Sequence, residues 1–332
     1  MLVYLFMLVG LLLAVVVLCG HAAKAREQLC VVAIFKNESQ ILKEWVQHYQ
    51  QEGVAHFFLI DNGSTDDYLS VLAPYIQQKV VTLRIDPKRH AQAELYNTHC
   101  LAAVKRYEWV LVCDLDEFVY ARRGFRTIEE YLTVLPDEVS QVFIPWKFFG
   151  ASGFDTLDKP QPDSVVQNFT GRLNYDRPAP PLLSRPNQII KKNGRLYTIK
   201  KCIARTRNIR ALEIHYCRLT TGVTIDATGS SVSPSDEYVA INERILVDSY
   251  LHLNHYVIQS LDWFTRVKMT RGDSNGFSDT LRDREYFRSF DINEKKDTEL
   301  NAKKKIVRRK PIRHSCGKRL KILTNCREMS WN

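Results

Sequence analysis

The chain has 332 residues, of which 45% are hydrophobic and 25% are charged, a composition typical of a globular protein with a sizeable core. Its formal charge of +10 is carried by residues 303–332, which contain eleven Lys and Arg residues and one acid. The rest of the chain is neutral overall and carries no nucleic-acid-binding motif. The composition therefore argues against a DNA- or RNA-binding domain, and we expect no nucleic acid partner.

The chain opens with an uninterrupted apolar segment at residues 2–20. Nineteen residues in a helix span about 28 Å, close to the thickness of the hydrocarbon core of a bilayer. We therefore expect residues 1–26 to form a hydrophobic anchor, a single-pass transmembrane helix, which would lie in the endoplasmic reticulum or Golgi if the source is eukaryotic. A cleaved signal peptide is the alternative, because small residues follow the apolar run. Lys24 and Arg26 leave the orientation open.

In the next hundred residues, apolar strand patterns alternate with amphipathic helix patterns. The predicted strands are 29–36, 56–62, 79–86 and 108–120, and the predicted helices are 38–53, 67–76 and 91–107. This alternation predicts βαβ units and hence an α/β fold, with a mixed, mainly parallel sheet flanked by helices. Ligands of such sheets bind at the carboxyl ends of the strands.

Beyond residue 131 the alternation is less regular. We predict a strand at 140–150, antiparallel strands at 194–207 and 212–219, and an amphipathic helix at 260–273. No shift in composition separates this half from the first, so the two halves belong to one domain.

The stretch VLVCDLDEFVY, residues 110–120, places three acids at the end of an apolar run. Charges are rarely buried there without a partner. Asp114 and Asp116 share one face of a strand, so they could bracket a Mn²⁺ or Mg²⁺ ion. They could also be the nucleophile and acid of an Asp-nucleophile phosphatase, although Phe118 and the fourth-strand position argue against this. A solvated strand end is the third possibility.

Two further segments accompany this motif. VVAIFKNES (31–39) and LIDNGSTDD (59–67) resemble the first two nucleotide-binding segments of family 2-like glycosyltransferases. Downstream, five segments in order resemble glycosyltransferase family 92, formerly a domain of unknown function: WKFFGASGF (146–154), VVQNFTGR (165–172), IKKCIAR (199–205), LNHYVIQSLDWFTRVKMTRGD (253–273) and FDINEKKDTEL (290–300). The resemblance covers about residues 29–300.

The resemblance implies a GT-A fold at residues 27–300, in which 27–131 bind the nucleotide sugar and 132–300 face the acceptor, followed by a basic tail at 301–332. It also implies a metal-dependent, inverting glycosyltransferase that moves a sugar from a UDP- or GDP-sugar to a glycan acceptor. A non-catalytic glycan-binding protein with the same fold is the alternative from another class.

The same resemblance suggests roles for individual residues. The predicted ligands of Mn²⁺ or Mg²⁺ are Asp114, Asp116 and His255. The predicted contacts to the nucleotide sugar are Asn37, Glu38, Asp61, Asp114, Lys201 and Arg271. An inverting transfer needs a carboxylate that takes the proton of the acceptor hydroxyl, and the candidates are Glu117 and Asp158.

Two pairs of cysteines are candidate disulfides if the domain faces an oxidising lumen. These pairs are Cys202 with Cys217 and Cys316 with Cys326.

Overall fold

A computed structural model describes residues 28–181, 188–272 and 281–309, with side chains in the last helix described up to residue 305. The predicted anchor at 1–26 and the Cys316–Cys326 pair lie outside these ranges. Within them, no helix is long and apolar enough to cross a membrane.

The described residues form an α/β fold. Its strands are β1 (Leu29–Phe35), β2 (His56–Asp61), β3 (Val81–Ile85), β4 (Trp109–Val112), β5 (Glu117–Ala121), β6 (Val139–Phe148), β7 (Gly171–Arg172), β8 (Ile189–Lys192), β9 (Arg195–Thr198), β10 (Lys200–Arg205), β11 (Ile209–Leu212), β12 (Cys217–Leu219), β13 (Val223–Asp226), β14 (Ser231–Val232), β15 (Val239–Ile241), β16 (Leu251–His255) and β17 (Lys295–Lys296). Its helices are α1 (Ser39–Gln51), α2 (Tyr68–Gln77), α3 (Gln92–His99), α4 (Leu101–Val104), α5 (Ile128–Thr133), α6 (Val165–Asn168), α7 (Glu243–Asp248), α8 (Leu261–Arg266), α9 (Arg284–Phe290) and α10 (Glu299–Arg309).

The central sheet has the strand order β14-β13-β6-β10-β4-β1-β2-β3. Strands β3, β2, β1 and β4 are all parallel, as the alternating pattern predicts. Every residue of β1 is buried. Val31 faces a core that includes Trp45 of α1, whereas Val32 faces a second core that includes Tyr96 of α3. Helices on both faces explain why this strand is apolar throughout. The predicted mixed, mainly parallel sheet is confirmed.

The second half of the chain extends this sheet with mixed strand directions. Strand β10 runs antiparallel between β4 and β6, and β13 runs parallel to β6. The last residues of β6 pair in parallel with β16, which in turn pairs with β5 in antiparallel fashion. Strand β16 therefore places residues from more than a hundred positions downstream beside the acidic segment.

The prediction of one strand at 108–120 is wrong, because β4 ends at Val112 and β5 begins at Glu117. The intervening residues form a turn in which the Glu117 N–H donates to the Asp114 carbonyl at 3.2 Å. The indole N–H of Trp45 donates to the carbonyls of both Asp114 and Glu117, at 3.0 and 3.1 Å. These bonds redirect the chain from β4 towards β16, so Asp114 and Asp116 lie on a turn and not on one strand face.

Other predicted elements are shorter or divided in the structure. The predicted helix at 91–107 is divided at Cys100 into α3 and α4, and the helix at 260–273 becomes α8 and one 3₁₀ turn, Lys268–Thr270. The predicted strand at 194–207 is β9 and β10, and that at 212–219 contains the loop before β12.

Helix α10 crosses the predicted boundary between the domain and the basic tail at residue 300. Lys303 forms an ion pair with Glu52, and Lys304 pairs with Glu44 at 3.0 Å. The first residues of the predicted tail are therefore attached to α1 and the turn after it.

A buried ionic network joins the second half of the chain to its last described residues. Asp297 accepts from Lys147 and from Arg172, each at 2.9 Å, and Arg172 also pairs with Glu243 at 2.7 Å. The Lys147 side chain is fully buried, so its burial is compensated by this partner. These charged groups hold the fold together away from the site described next.

Candidate active site

A cavity of about 720 Å³ lies along the sheet edge where β1 and β4 end and β10 begins. Its wall carries three of the predicted acids, Glu38, Asp114 and Asp116, and several basic residues, among them Lys268 and Arg271. The carboxyl ends of parallel strands meet at this edge, which is where α/β sheets bind ligands. The structure thus brings together acids that the sequence places on two separate strand ends.

Asp116 is the most tightly partnered of these acids. Its Oδ2 accepts from Lys268 Nζ at 2.6 Å, and its Oδ1 lies 3.6 Å from Nε2 of His255. Burial raises the pKa of Asp116, but its interactions with the Lys268 ammonium and with His255 outweigh burial, and the net pKa lies far below the usual range. Asp116 is therefore an anion at neutral pH, held against the end of β16.

Asp114 faces the other side of the turn. Its Oδ2 accepts from Lys201 Nζ at 2.8 Å, and its Oδ1 accepts from Gln92 at 3.3 Å. Burial raises the pKa of Asp114, yet the Lys201 ammonium brings it below its usual value. Lys201 itself is fully buried beneath the wall, so it acts on Asp114 from inside the protein.

Glu117 does not reach the cavity. Its side chain is fully buried, and its Oε2 accepts from the Asp114 backbone N–H at 2.9 Å and lies 3.6 Å from Lys201 Nζ. Its Oε1 has no hydrogen-bond partner in the described structure. Burial raises the pKa of Glu117 to about 8, against the opposing effect of Lys201. Its geometry is that of a support for the turn, and its predicted role as the base stays a prediction.

This pKa makes stability depend on pH, and we expect Glu117→Gln to weaken that dependence. The folded protein keeps the proton up to about pH 8, whereas in the unfolded chain the pKa of this carboxyl lies near its ordinary value of 4.5. The folded state binds more protons between these values, so the free energy of unfolding falls as pH rises through this window. Gln resembles the protonated acid. Over this pH window, the free energy of unfolding of Glu117→Gln, measured by urea denaturation, should therefore fall by a few kcal/mol less than that of the wild type.

The exposed control Glu94→Gln should keep the wild-type pH dependence. If Glu117→Gln and the wild type lose stability equally between about pH 5 and about pH 8, then Glu117 is ionised in the folded protein.

Glu38 joins two basic residues of the wall, Lys268 and Arg271. It is 4% exposed, and it lies 2.8 Å from the Arg271 guanidinium and 3.5 Å from Lys268 Nζ. Arg271 also donates to the Lys36 carbonyl. Without a ligand, both basic residues are thus neutralised by acids of the same wall.

Besides Glu117 and Lys201, three more predicted residues are not part of the cavity wall. The Asp61 carboxylate accepts from the Ser64 N–H and the Tyr68 hydroxyl, at 2.8 and 2.9 Å. The Asn37 side chain accepts from the Thr65 N–H at 2.7 Å. Both residues stabilise the loop after β2. Asp158 lies on an exposed loop. A nucleoside role for Asp61 and Asn37 and a base role for Asp158 remain predictions.

Among the cavity residues that sequence reasoning missed are Lys268 and His215. Lys268 lies in a segment predicted as one continuous helix, and none of the residues near it in sequence indicates that it pairs with Asp116. His215 lies in a stretch that was predicted as a strand. Trp146 connects His215 and His255, because its ring centroid is 5.4 Å from that of His215 and 4.3 Å from that of His255.

The residues fit a divalent cation in part. No three His, Cys, Asp or Glu side chains gather as a metal-binding group within residues 28–181, 188–272 and 281–309. Asp116 and His255 nevertheless present a carboxylate oxygen and an imidazole nitrogen 3.6 Å apart on the wall, a donor pair that suits Mn²⁺. Such ions are commonly held by one or two protein ligands together with substrate phosphates and water. Asp114 faces Lys201 and is not placed with this pair.

The structure also brings the predicted cysteine pair together. Cys202 and Cys217 are buried, free thiols with sulfur atoms 3.7 Å apart. The disulfide between them stays a prediction.

The sequence matches the profile of glycosyltransferase family 92 over residues 28–301. A glycosyltransferase family 92 protein of Ricinus communis is 36% identical over 158 residues, which make up 46% of this chain and 28% of that protein. One from Oryza sativa subsp. japonica is 29% identical over 158 residues, 46% of this chain and 26% of that protein. The matched region thus spans little more than a quarter of the length of these relatives.

Solved structures with some similarity include S. aureus TarS, with a TM-score of 0.34 and 14% identity, covering 64% of this chain and 59% of that one. Another is the glucosyl-3-phosphoglycerate synthase of Mycobacterium tuberculosis in complex with Mn²⁺, UDP and glucosyl-3-phosphoglycerate. Its TM-score is 0.23 and its identity 17%, covering 38% of this chain and 46% of that one. Similarity at this level is too low to transfer residue roles.

Proposed function

Because the chain belongs to glycosyltransferase family 92, and is therefore a glycosyltransferase, we propose that its cavity binds a UDP- or GDP-sugar. We propose further that the sugar is transferred to a hydroxyl of a glycan with inversion at the anomeric carbon, with the help of a divalent cation. The observation that supports this proposal is the wall formed by Asp116, His255, Lys268 and Arg271.

The charges of this wall suit a nucleoside diphosphate. A diphosphate leaving group carries several negative charges, which must be neutralised while the glycosidic bond breaks. Lys268 and Arg271 lie on the wall and are paired with Asp116 and Glu38 in the described structure. Arrival of a diphosphate gives these cations a second anionic partner. We therefore assign them the diphosphate end of the donor.

A divalent cation would be held by Asp116 and His255. It would supply positive charge to the diphosphate, as a Lewis acid that needs no proton transfer. Asp114 and the buried Lys201 lie beside this position, and their 2.8 Å ion pair fixes the carboxylate of Asp114 at the wall. We assign Asp114 to contact the donor.

Two alternatives make different demands on the site. A glycan-binding protein without turnover needs no diphosphate contacts, so it gives no reason for the paired Lys268 and Arg271 beside Asp116. An Asp-nucleophile phosphatase needs an uncommitted carboxylate at Asp114, whose two oxygens accept from Lys201 and Gln92. Both alternatives predict no release of nucleotide from a nucleotide sugar.

A donor screen tests the proposal directly. The purified full-length chain is incubated with a panel of UDP- and GDP-sugars and Mn²⁺, and released UDP or GDP is measured with and without glycan acceptors. We expect release from one nucleotide class, enhanced by an acceptor and reduced when EDTA removes the cation. Binding of a glycan with no release from any donor would favour the non-catalytic alternative. Trapping of an aspartyl-phosphate at Asp114 would favour the phosphatase.

A further inference from the structure

His215 occupies a loop whose position is set by the protein itself. The loop joins β11 to β12. Lys201 Nζ donates to the Ile214 carbonyl at 3.1 Å, and the Cys217 N–H donates to the Gln141 side chain at 2.7 Å. The imidazole is thus anchored on both sides before any ligand arrives.

The hydrogen bond made by the ring determines its tautomer. Nδ1 of His215 lies 3.1 Å from the Lys200 carbonyl oxygen. A carbonyl oxygen only accepts, so Nδ1 carries the hydrogen and Nε2 is a bare acceptor. Burial, reinforced by the Lys201 ammonium, lowers the pKa of His215 to about 3, so the ring stays neutral at neutral pH.

This bare acceptor belongs to the cavity. The ring lines the wall, and Nε2 makes no hydrogen bond within the part of the chain that the structure describes. Its neighbour Trp146 has a buried indole N–H that likewise lacks an acceptor there. A wall with an aromatic surface and a free acceptor suits a polyhydroxylated ligand better than a phosphate, because a phosphate oxygen cannot donate to Nε2.

The strand order places this wall at one end of the cavity. Strands lie in the order β2, β1, β4, β10 and β6 along the edge. The lining runs from Asn62 after β2, through Asp114 and Asp116 after β4, to His215 and Trp146 beside β10 and β6. A donor whose nucleoside lies at β1 and β2, with its diphosphate at the acidic turn, therefore extends its sugar towards His215.

We propose that Nε2 of His215 accepts a hydrogen bond from a hydroxyl of the transferred sugar and so contributes to the choice of donor sugar. This inference rests on the proposed function, since it requires a nucleotide sugar in the cavity. A neutral acceptor selects for a correctly placed hydroxyl, because an epimer leaves the acceptor unpaired.

The test compares a nucleotide with its sugar conjugate. His215→Phe keeps a ring against Trp146 and removes the acceptor. Isothermal titration in the presence of Mn²⁺ measures the affinity for UDP or GDP, whichever the wild type uses, and the affinity for the corresponding nucleotide sugar. We expect unchanged affinity for the nucleotide and affinity for the nucleotide sugar that is about three- to tenfold weaker, the usual range for one neutral hydrogen bond. His215→Gln, with an amide oxygen near the Nε2 position, should recover part of the loss.

His56→Phe is the matched control, because it removes the same group from a partly buried ring on β2 that bonds to Thr82 at 2.8 Å, outside the cavity wall. It should change neither affinity. Unchanged binding of the nucleotide sugar by His215→Phe, or equal weakening of both ligands, would overturn the inference and leave the proposed function standing. A wild type that binds neither ligand would overturn the proposed function and the inference together. Thermal unfolding confirms that each variant is folded, and His215→Gln keeps the comparison possible should the Phe variant not fold.

Discussion

Replacing Asp116 with Asn is expected to abolish sugar transfer, with at least about a hundredfold loss of rate, more than is typical for removing a group that only supports a metal ligand. Asn preserves the size of the side chain and the backbone bond from the Tyr256 N–H to the residue 116 carbonyl, which is 2.8 Å long. It removes the negative charge that faces Lys268 and His255. The measurement is release of nucleotide from the donor over a range of Mn²⁺ concentrations.

Asp248→Asn is the matched control for this substitution. Asp248 also accepts a charged hydrogen bond, from Arg244 at 2.7 Å, but on the exposed surface of α7. The control should keep wild-type activity, and circular dichroism should show both variants folded. Undiminished, Mn²⁺-dependent turnover by the Asp116 variant would remove the metal-holding role from this residue.

Replacing Lys201 with Met is expected to lower the free energy of unfolding by about 3–5 kcal/mol, the range measured when one partner of a buried ion pair is removed. The Lys201 side chain is fully buried, so Met fills much of its volume but leaves the Asp114 carboxylate without its cation. Because the Asp114 side chain is 32% exposed, solvent screens part of the effect, and the lower end of this range applies. Urea denaturation at neutral pH measures the change.

Two further variants separate charge from packing. Adding Asp114→Asn to the Lys201 variant removes the stranded charge, so the double variant should recover part of the lost stability. Lys88→Met is the matched control, because Lys88 and Glu94 are 2.6 Å apart yet more than half exposed. It should lose at most about 1 kcal/mol. Equal losses of stability for Lys88→Met and Lys201→Met would show that the buried Lys201 pair contributes no more to stability than an exposed pair.

The first half of the fold was predictable because its local patterns and its tertiary packing agree. Strand β1 is a continuous apolar run, and helices cover both of its faces. Helix α1 buries Ile41, Trp45 and Tyr49 at helical spacing. Each of these patterns involves residues close in sequence, which periodicity can detect.

The arrangement of the site was only partly predictable, because its contacts join distant residues. Asp116 and Lys268 are separated by 152 positions, and Asp114 and Lys201 by 87. The adjacent lysines of β10 show the difficulty. Lys201 faces Asp114, whereas Lys200 lies over the ring of Phe143, 4.6 Å from its centroid. The local sequence does not distinguish the two lysines. Only the pairing of β10 with its neighbouring strands decides which of them faces Asp114.

The pairing of β5 with β16 has a consequence for how the protein is made. In that ladder Glu117 lies opposite His255, so the acidic turn and its histidine are joined by strands that the ribosome produces far apart. At ordinary rates of translation the second strand follows the first by on the order of ten seconds. Until then β5 has no antiparallel partner. The wall of the cavity is therefore completed late in synthesis, after strands β1 to β4 have had time to assemble.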